Sequence, residues 1–260
     1  MSFATKATAP ATTAAEDLLD FIVESPTMFH SAAAIRARLD EAGFTYLSEG
    51  AAWEVRPGGA YYTQRNGSSV VAWRVGERVV APGFASDVAK AADRVAGSVD
   101  VAAGSAGDSA PYHFQLTASH SDSPCFKVKT NGELEGPAGY VRLDTEAYGG
   151  MMDYTWFDRP LSLAGRVLVR EGARIESRLV ALNRDVALIP SLAIHMDGGV
   201  NKGFAPNRAS DLFPLLSAGD LANGSLDMIV ADALEIDPAQ IMSRDLFLVN
   251  RCLLYTSDAA

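Results

Sequence analysis

His120 and Asp122, within Ser119-His120-Ser121-Asp122-Ser123-Pro124, are the residues whose types and spacing best suit chemistry. In an extended chain, residues two apart point to the same side, so both side chains can face one cleft. A carboxylate placed there fixes the imidazole tautomer and raises its basicity toward a metal. Spacing alone leaves a second reading open, that of a hydrogen-bonded structural histidine, because a zinc ion needs three or four protein ligands and one histidine supplies one. Cys125 beside His120 admits a cysteine-hydrolase reading, although a cysteine directly after Pro124 also reads as a small buried hydrophobe. Lys127 and Lys129 are basic groups able to receive an acidic substrate, or solvated surface lysines. His30 and His113 have no chemical context, and Asp158 and Arg159 read as a structural ion pair.

The elements that must position this pair can be read from period and punctuation. Thr13-Ala14-Ala15-Glu16 has the capping-box form, Leu18, Leu19, Ile22 and Val23 follow as an apolar helical face, and Ser25-Pro26 ends it. A second helix is predicted over 31–42, with Gly43 as its stop. Tyr61-Tyr62-Thr63 and the run 69–75 read as strands joined at Asn66-Gly67, a hairpin dipeptide. Residues 86–110 read as a surface insertion. Phe114, Leu116 and Ala118 alternate with polar residues, which predicts a strand with His120 at its C-terminal end, where open α/β sheets build their sites. Pro124 then takes the chain out of regular pairing.

Beyond Lys129 the texture is β-rich. Leu161, Leu163, Val167 and Val169 precede a turn at Glu171-Gly172, the chain returns through 175–182, and an apolar run spans 186–194 and leads to His195, which on the residues alone reads as a strand-end histidine. Helices are predicted at 208–218 and 226–234, with Asp237-Pro238 as the cap and first residue of one more short helix. The block 130–205 can thus form a separate β unit.

Composition bounds the function. The 260 residues are 48% hydrophobic with a formal net charge of −10, which suits a soluble globular chain and argues against a nucleic-acid partner, since that affinity comes from clustered Lys and Arg. Two cysteines, Cys125 and Cys252, are too few for a disulfide framework, and no run approaches the roughly 20 apolar residues of a membrane helix. The first 15 residues lack the pattern of a signal peptide. The expectation is a cytoplasmic protein with no membrane or nucleic-acid partner.

Ser119 to Cys125 followed by Lys127-Val128-Lys129 resembles the His-Thr-Asp-Ser-Pro-Cys motif of the aspartyl aminopeptidases, the M18 class of metallopeptidases. Ser25-Pro26-Thr27-Met28-Phe29-His30, Tyr148-Gly149-Gly150 and Thr155-Trp156-Phe157-Asp158-Arg159 are similar to further signatures of that family. Leu163-Ala164-Gly165-Arg166-Val167, Ile189 to His195, and Phe204-Ala205-Pro206-Asn207 continue in the family's order. The resemblance implies an α/β fold, a partial zinc-exopeptidase-like catalytic domain with an inserted β-rich dimerisation domain. Its divisions would be 1–129 for the first part of the catalytic domain, 130–235 for the oligomerisation domain, and 236–249 for the return. It further implies His120 as a metal ligand of a two-zinc centre and Asp122 as the acid that orients it. His195 would be a catalytic residue presented to a neighbouring subunit's active site. The activity implied is removal of N-terminal Asp or Glu from peptides by a zinc-activated water, in a homo-oligomer built from dimers up to a dodecamer.

The family's other ligands and its general base follow the inserted domain, and their motifs are absent from this sequence. Asp245-Leu246-Phe247-Leu248 is similar to the segment where they should begin, whereas 250–260 resembles translated adapter read-through, so a truncated reading frame and an inactive fragment are expected. The alternatives are a non-catalytic homologue that keeps the oligomerisation module, and a two-zinc exopeptidase with another substrate preference.

Overall fold

The computed structural model describes residues 13–76, 114–222 and 224–251. The insertion read at 86–110, His113, Cys252 and the tail from 252 onward lie outside the described residues, as do the first 12.

Helix α1 (Ala14–Glu24) opens on the expected capping box, in which the Thr13 hydroxyl accepts from the Glu16 amide and the Glu16 carboxylate accepts from the Thr13 amide. Helix α2 (Met28–Glu41) begins three residues earlier than its apolar spacing suggests, because Thr27 is already extended and serves as the N-cap. Gly43, at φ +78°, terminates it in the left-handed region. Strands β1 (Thr45–Tyr46), β2 (Ala60–Arg65) and β3 (Ser69–Arg74) form a small sheet in that order. Asn66 and Gly67 both have positive φ, 53° and 68°, as a type I′ hairpin turn requires.

The larger sheet contains β4 (Cys125–Glu135), β5 (Val141–Tyr148), β6 (Ser162–Glu171), β7 (Arg174–Ala181), β8 (Leu215–Ser217) and β9 (Ile241–Val249). Their order is β7-β6-β9-β4-β5-β8, antiparallel throughout. Alternation assigns the two faces. Leu163, Val167 and Val169 of β6, Leu246 and Leu248 of β9, and Phe126 and Val128 of β4 are buried on one face. Helix α3 (Ser225–Leu234) packs onto this face through Leu226 and Val230. Each such side chain contributes about 1.5–3 kcal/mol relative to exposure. The register puts Arg166, Asp245, Phe247, Lys127 and Glu146 on the opposite face, where the start of α2 lies with Phe29 against Phe247, ring centroids 6.3 Å apart.

The fold class is α/β, as expected, with three differences in detail. Residues 114–120 are not a strand: the alternation is present, but among the described residues no neighbouring strand takes up their backbone groups, and Phe114 and Leu116 are 83% and 91% exposed. His120 therefore lies on an irregular approach to β4, not at a strand's C-terminal end. Residues 208–218 are not a helix, because Asn207 closes a turn over 208–211, its side chain accepting from the Ala209 amide at 2.9 Å, and Pro214 then leads into β8. The apolar run 186–194 forms no strand of its own; it pairs through single bridges at Ala187, Leu188 and Ile189, and Ala187 and Ile189 are buried in the core. The Asp237-Pro238 pair opens a short 3-10 turn with its capping box formed.

The sheet includes residues on both sides of the divisions read from the sequence. Position 129 falls inside β4, and β9 follows position 235.

Candidate active site

Ser119 to Asp122 cross between the small sheet and β4, held at one point by the Ser121 hydroxyl, which donates to the Ser68 carbonyl at 3.2 Å. The His120 side chain is 91% exposed, and its Nδ1 lies 3.0 Å from Asp122 Oδ1. A carboxylate can only accept, so in the neutral ring Nδ1 carries the proton and the Nε2 lone pair is free. The other carboxylate oxygen, Oδ2, accepts from the Tyr148 hydroxyl at 2.5 Å. Asp122 is thus fixed from both sides, and its pKa is held below the ordinary carboxylate value first by Tyr148 and then by His120.

Tyr148 was not legible as a site residue. It appears in the sequence only within Tyr148-Gly149-Gly150, and nothing local says that the β4–β5 register sets it opposite Cys125, beside Asp122. The register and the left-handed Gly149, φ +82°, turn the chain where Tyr148 meets the carboxylate. Its ring rests edge-on to Phe247, 6.2 Å between centroids.

Together these residues surround an open recess of about 280 Å³, with Met28, Ser68, Ser69 and Ser119 completing its walls. The α2 start, the β2–β3 hairpin, the 119–122 crossing and the end of β5 each supply one side. Cys125 is half-buried, and its thiol is pushed up to about 12 by burial and then by the Asp122 charge, which removes it as a nucleophile at neutral pH. Lys127 and Lys129 each face a carboxylate, Asp245 at 3.8 Å and Asp144 at 2.7 Å, along a separate groove of about 450 Å³.

His195 is exposed on a turn at 194–196 and is not among the residues lining the recess. The loop that carries it is anchored by Asp158, whose carboxylate accepts from the Ser191 amide at 2.9 Å and the Ser191 hydroxyl at 2.5 Å. Trp156 and Phe157 pack, on Phe126 and Phe204 respectively, each at 5.1 Å.

At the recess the donor chemistry suits a metal at His120. His120 offers an oriented, solvent-facing Nε2, which fits a single zinc ligand, but among the described residues no three His, Cys, Asp or Glu side chains form a metal-holding group. The same residues contain no helix long and apolar enough to cross a membrane.

An α/β scaffold presenting a carboxylate-steadied imidazole into an open recess is the class of structure this geometry defines. The model of the M18 family, described as aminopeptidase I zinc metalloprotease, matches residues 21–91 and 98–252, and the chain belongs to that family. It is 38% identical over 202 residues to a probable M18 family aminopeptidase 2 of Ectopseudomonas mendocina, covering 78% of this chain and 40% of that protein. A protein of the same description from Clostridium novyi is 35% identical over 240 residues, 90% of this chain and 48% of the relative. The chain thus spans less than half the length of these curated relatives. Among solved structures, mApe1 of Chaetomium thermophilum aligns with a TM-score of 0.72 at 26% identity, over 91% of this chain and 50% of that one. The M18 aminopeptidase of Thermotoga maritima shares the fold, with a TM-score of 0.63 at 19% identity over 92% of this chain and 47% of that one.

Proposed function

We propose that these residues form part of a zinc-dependent aminopeptidase that removes N-terminal Asp or Glu from peptides, with His120 as one ligand of a two-zinc centre. The observation that carries this reading is the His120–Asp122 pair, held at 3.0 Å on an M18 scaffold with Nε2 turned outward. Asp122 holds the proton on Nδ1 and stabilises positive charge on the ring. The imidazole cannot turn without breaking its bond to Asp122, and Asp122 cannot follow it without breaking the bond from Tyr148. A pair of zinc ions supplies, when bound, an activated water and stabilisation of the oxyanion at the peptide carbonyl. In this reading the remaining ligands and the general base are not among the described residues, and the 260-residue chain alone is taken to be inactive.

His195, on its exposed and apolar-flanked loop, serves the active site of a neighbouring subunit in a dimer-based homo-oligomer. Support comes from the exposure of Leu192, Ile194 and Met196 around it, and from the solved S. cerevisiae mApe1, which is a dodecamer. The segment 130–235 is the oligomerisation module, and the protein is cytoplasmic.

The test is a chimera in which residues 13–249 replace the matching part of the Clostridium novyi relative. Zinc-dependent release of N-terminal Asp and Glu in preference to Ala or Leu, reduced at least about a hundredfold by His120→Ala, is the expected result. A chimera that assembles like the relative yet hydrolyses nothing while the relative is active would support the non-catalytic homologue instead. Turnover by the 260-residue chain with zinc, above its own His120→Ala control, would contradict the inactivity.

A further inference from the structure

We infer that Arg166 is a positioning residue for the recess, a three-way clasp that holds the hairpin wall and the α2 wall against the sheet and so keeps His120 in register with Asp122 and Tyr148. Its side chain is only 19% exposed, and its guanidinium is divided among three elements. Nη2 donates to Asp245 Oδ2 of β9 at 2.7 Å. Nη1 donates to the Asn66 carbonyl at 2.9 Å and to Asn66 Oδ1 at 3.2 Å, at the tip of the β2–β3 hairpin. The guanidinium carbon lies 4.3 Å from the centre of the Phe29 ring in α2.

Each contact leads into the recess by a short covalent or packed path. Asn66 is two residues from Ser68, which lines the recess and whose carbonyl receives the Ser121 hydroxyl beside His120. Phe29 follows Met28, another wall residue, and packs on Phe247, which in turn packs on Tyr148. One planar cation therefore fixes the spacing of the surfaces from which the His120–Asp122–Tyr148 chain of hydrogen bonds is strung. A lysine ammonium carries three donors on one nitrogen but lacks the planar fork by which Arg166 reaches the carboxylate and the carbonyl from separate nitrogens while its face lies on the ring. The Nε–H is buried without an acceptor, so the arrangement is not one that maximises stability at this position. Its gain lies in joining the three elements.

The inference rests on the reading that His120 serves the site, and its test is independent of hydrolysis. In the 260-residue chain with 15N-labelled histidine, His120 is assigned by loss of its signals in His120→Gln and examined at a pH where the ring is neutral. Wild type should show the Nδ1–H tautomer. Arg166→Gln should shift His120 toward a mixture of tautomers and speed hydrogen exchange of the hairpin amides at 68–69 at least about tenfold. Arg166→Lys should change both in the same direction, and Arg208→Gln, which breaks a two-bond ion pair with Asp153 elsewhere, should change neither. A folded Arg166→Gln that keeps both the tautomer and the protection overturns the inference.

If Arg166→Gln does not fold, Arg166→Gln/Asp245→Asn removes the unpaired charge and carries the same readouts. Failure of the chimera to hydrolyse peptides, with these results intact, would refute the aminopeptidase reading and leave the clasp standing.

Discussion

Replacing Tyr148 with Phe removes one hydroxyl from the recess and leaves the ring's contact with Phe247 in place. The lost hydrogen bond is to a charged acceptor, a kind that contributes about 1.5–3 kcal/mol when shielded from water. Here Tyr148 is 38% exposed and the Asp122 side chain 29%, so water entering the recess takes over part of the role. About 1 kcal/mol of stability at neutral pH is the expected loss. Its pH dependence follows from the sign of the Asp122 shift. The folded pKa is depressed, so the stabilisation is fully present above the unfolded value and disappears as pH falls through the folded one. Tyr148→Phe should therefore raise the Asp122 pKa toward its ordinary value, with a deficit seen at pH 7 that narrows in acid. Urea unfolding across this range, with carboxyl-carbon NMR of Asp122 in both proteins, measures the two effects separately. An unchanged Asp122 titration, or a deficit as large in acid as at pH 7, would refute the assignment of the hydroxyl to the carboxylate.

Cys125, with its thiol pushed up to about 12, should react with iodoacetamide at pH 8 about a hundredfold more slowly than an unhindered cysteine, even after allowing for its higher intrinsic nucleophilicity. Site-resolved mass spectrometry distinguishes it from Cys252. His30 is depressed by burial, so its contribution should be complete above the unfolded value of about 6.5 and should be lost as pH falls through the folded value; His30→Gln should flatten the corresponding slope in urea midpoints. Gly165→Ala would set a methyl against the Asp245 backbone and within 2.9 Å of Leu246 Cα, where β6 meets β9. A loss of about 3 kcal/mol or more, read from soluble yield and urea unfolding, is expected.

What was legible in the sequence is what local physics decides. Thr13 and Glu16 close their capping box, Asn66-Gly67 can hardly form anything but a tight hairpin turn, and the alternation through Leu163, Val167 and Val169 finds its buried face. The errors concern interactions with neighbours distant in sequence. Phe114, Leu116 and Ala118 alternate correctly, but a strand exists only beside another strand. Leu212, Leu215 and Leu216 have helical spacing, yet Asn207 and Pro214 decide the backbone before that spacing can act. At the site, the same-side argument brought His120 and Asp122 together correctly, although the chain there is irregular. Tyr148 and Arg166 could not be assigned their roles, since these depend on sheet register and on the seating of α2.

The position of β9 has a consequence for how the molecule is made. Translated after every other described strand, it occupies an interior place between β6 and β4. Until 241–249 leave the ribosome, the β4–β5 and β6–β7 hairpins are separate ribbons, each with a bare edge waiting for the same missing strand. Such edges invite pairing with the wrong chain. Closure requires contacts between residues far apart in sequence, so it should be the slow step of folding, with chaperone demand concentrated in the interval just before β9 emerges.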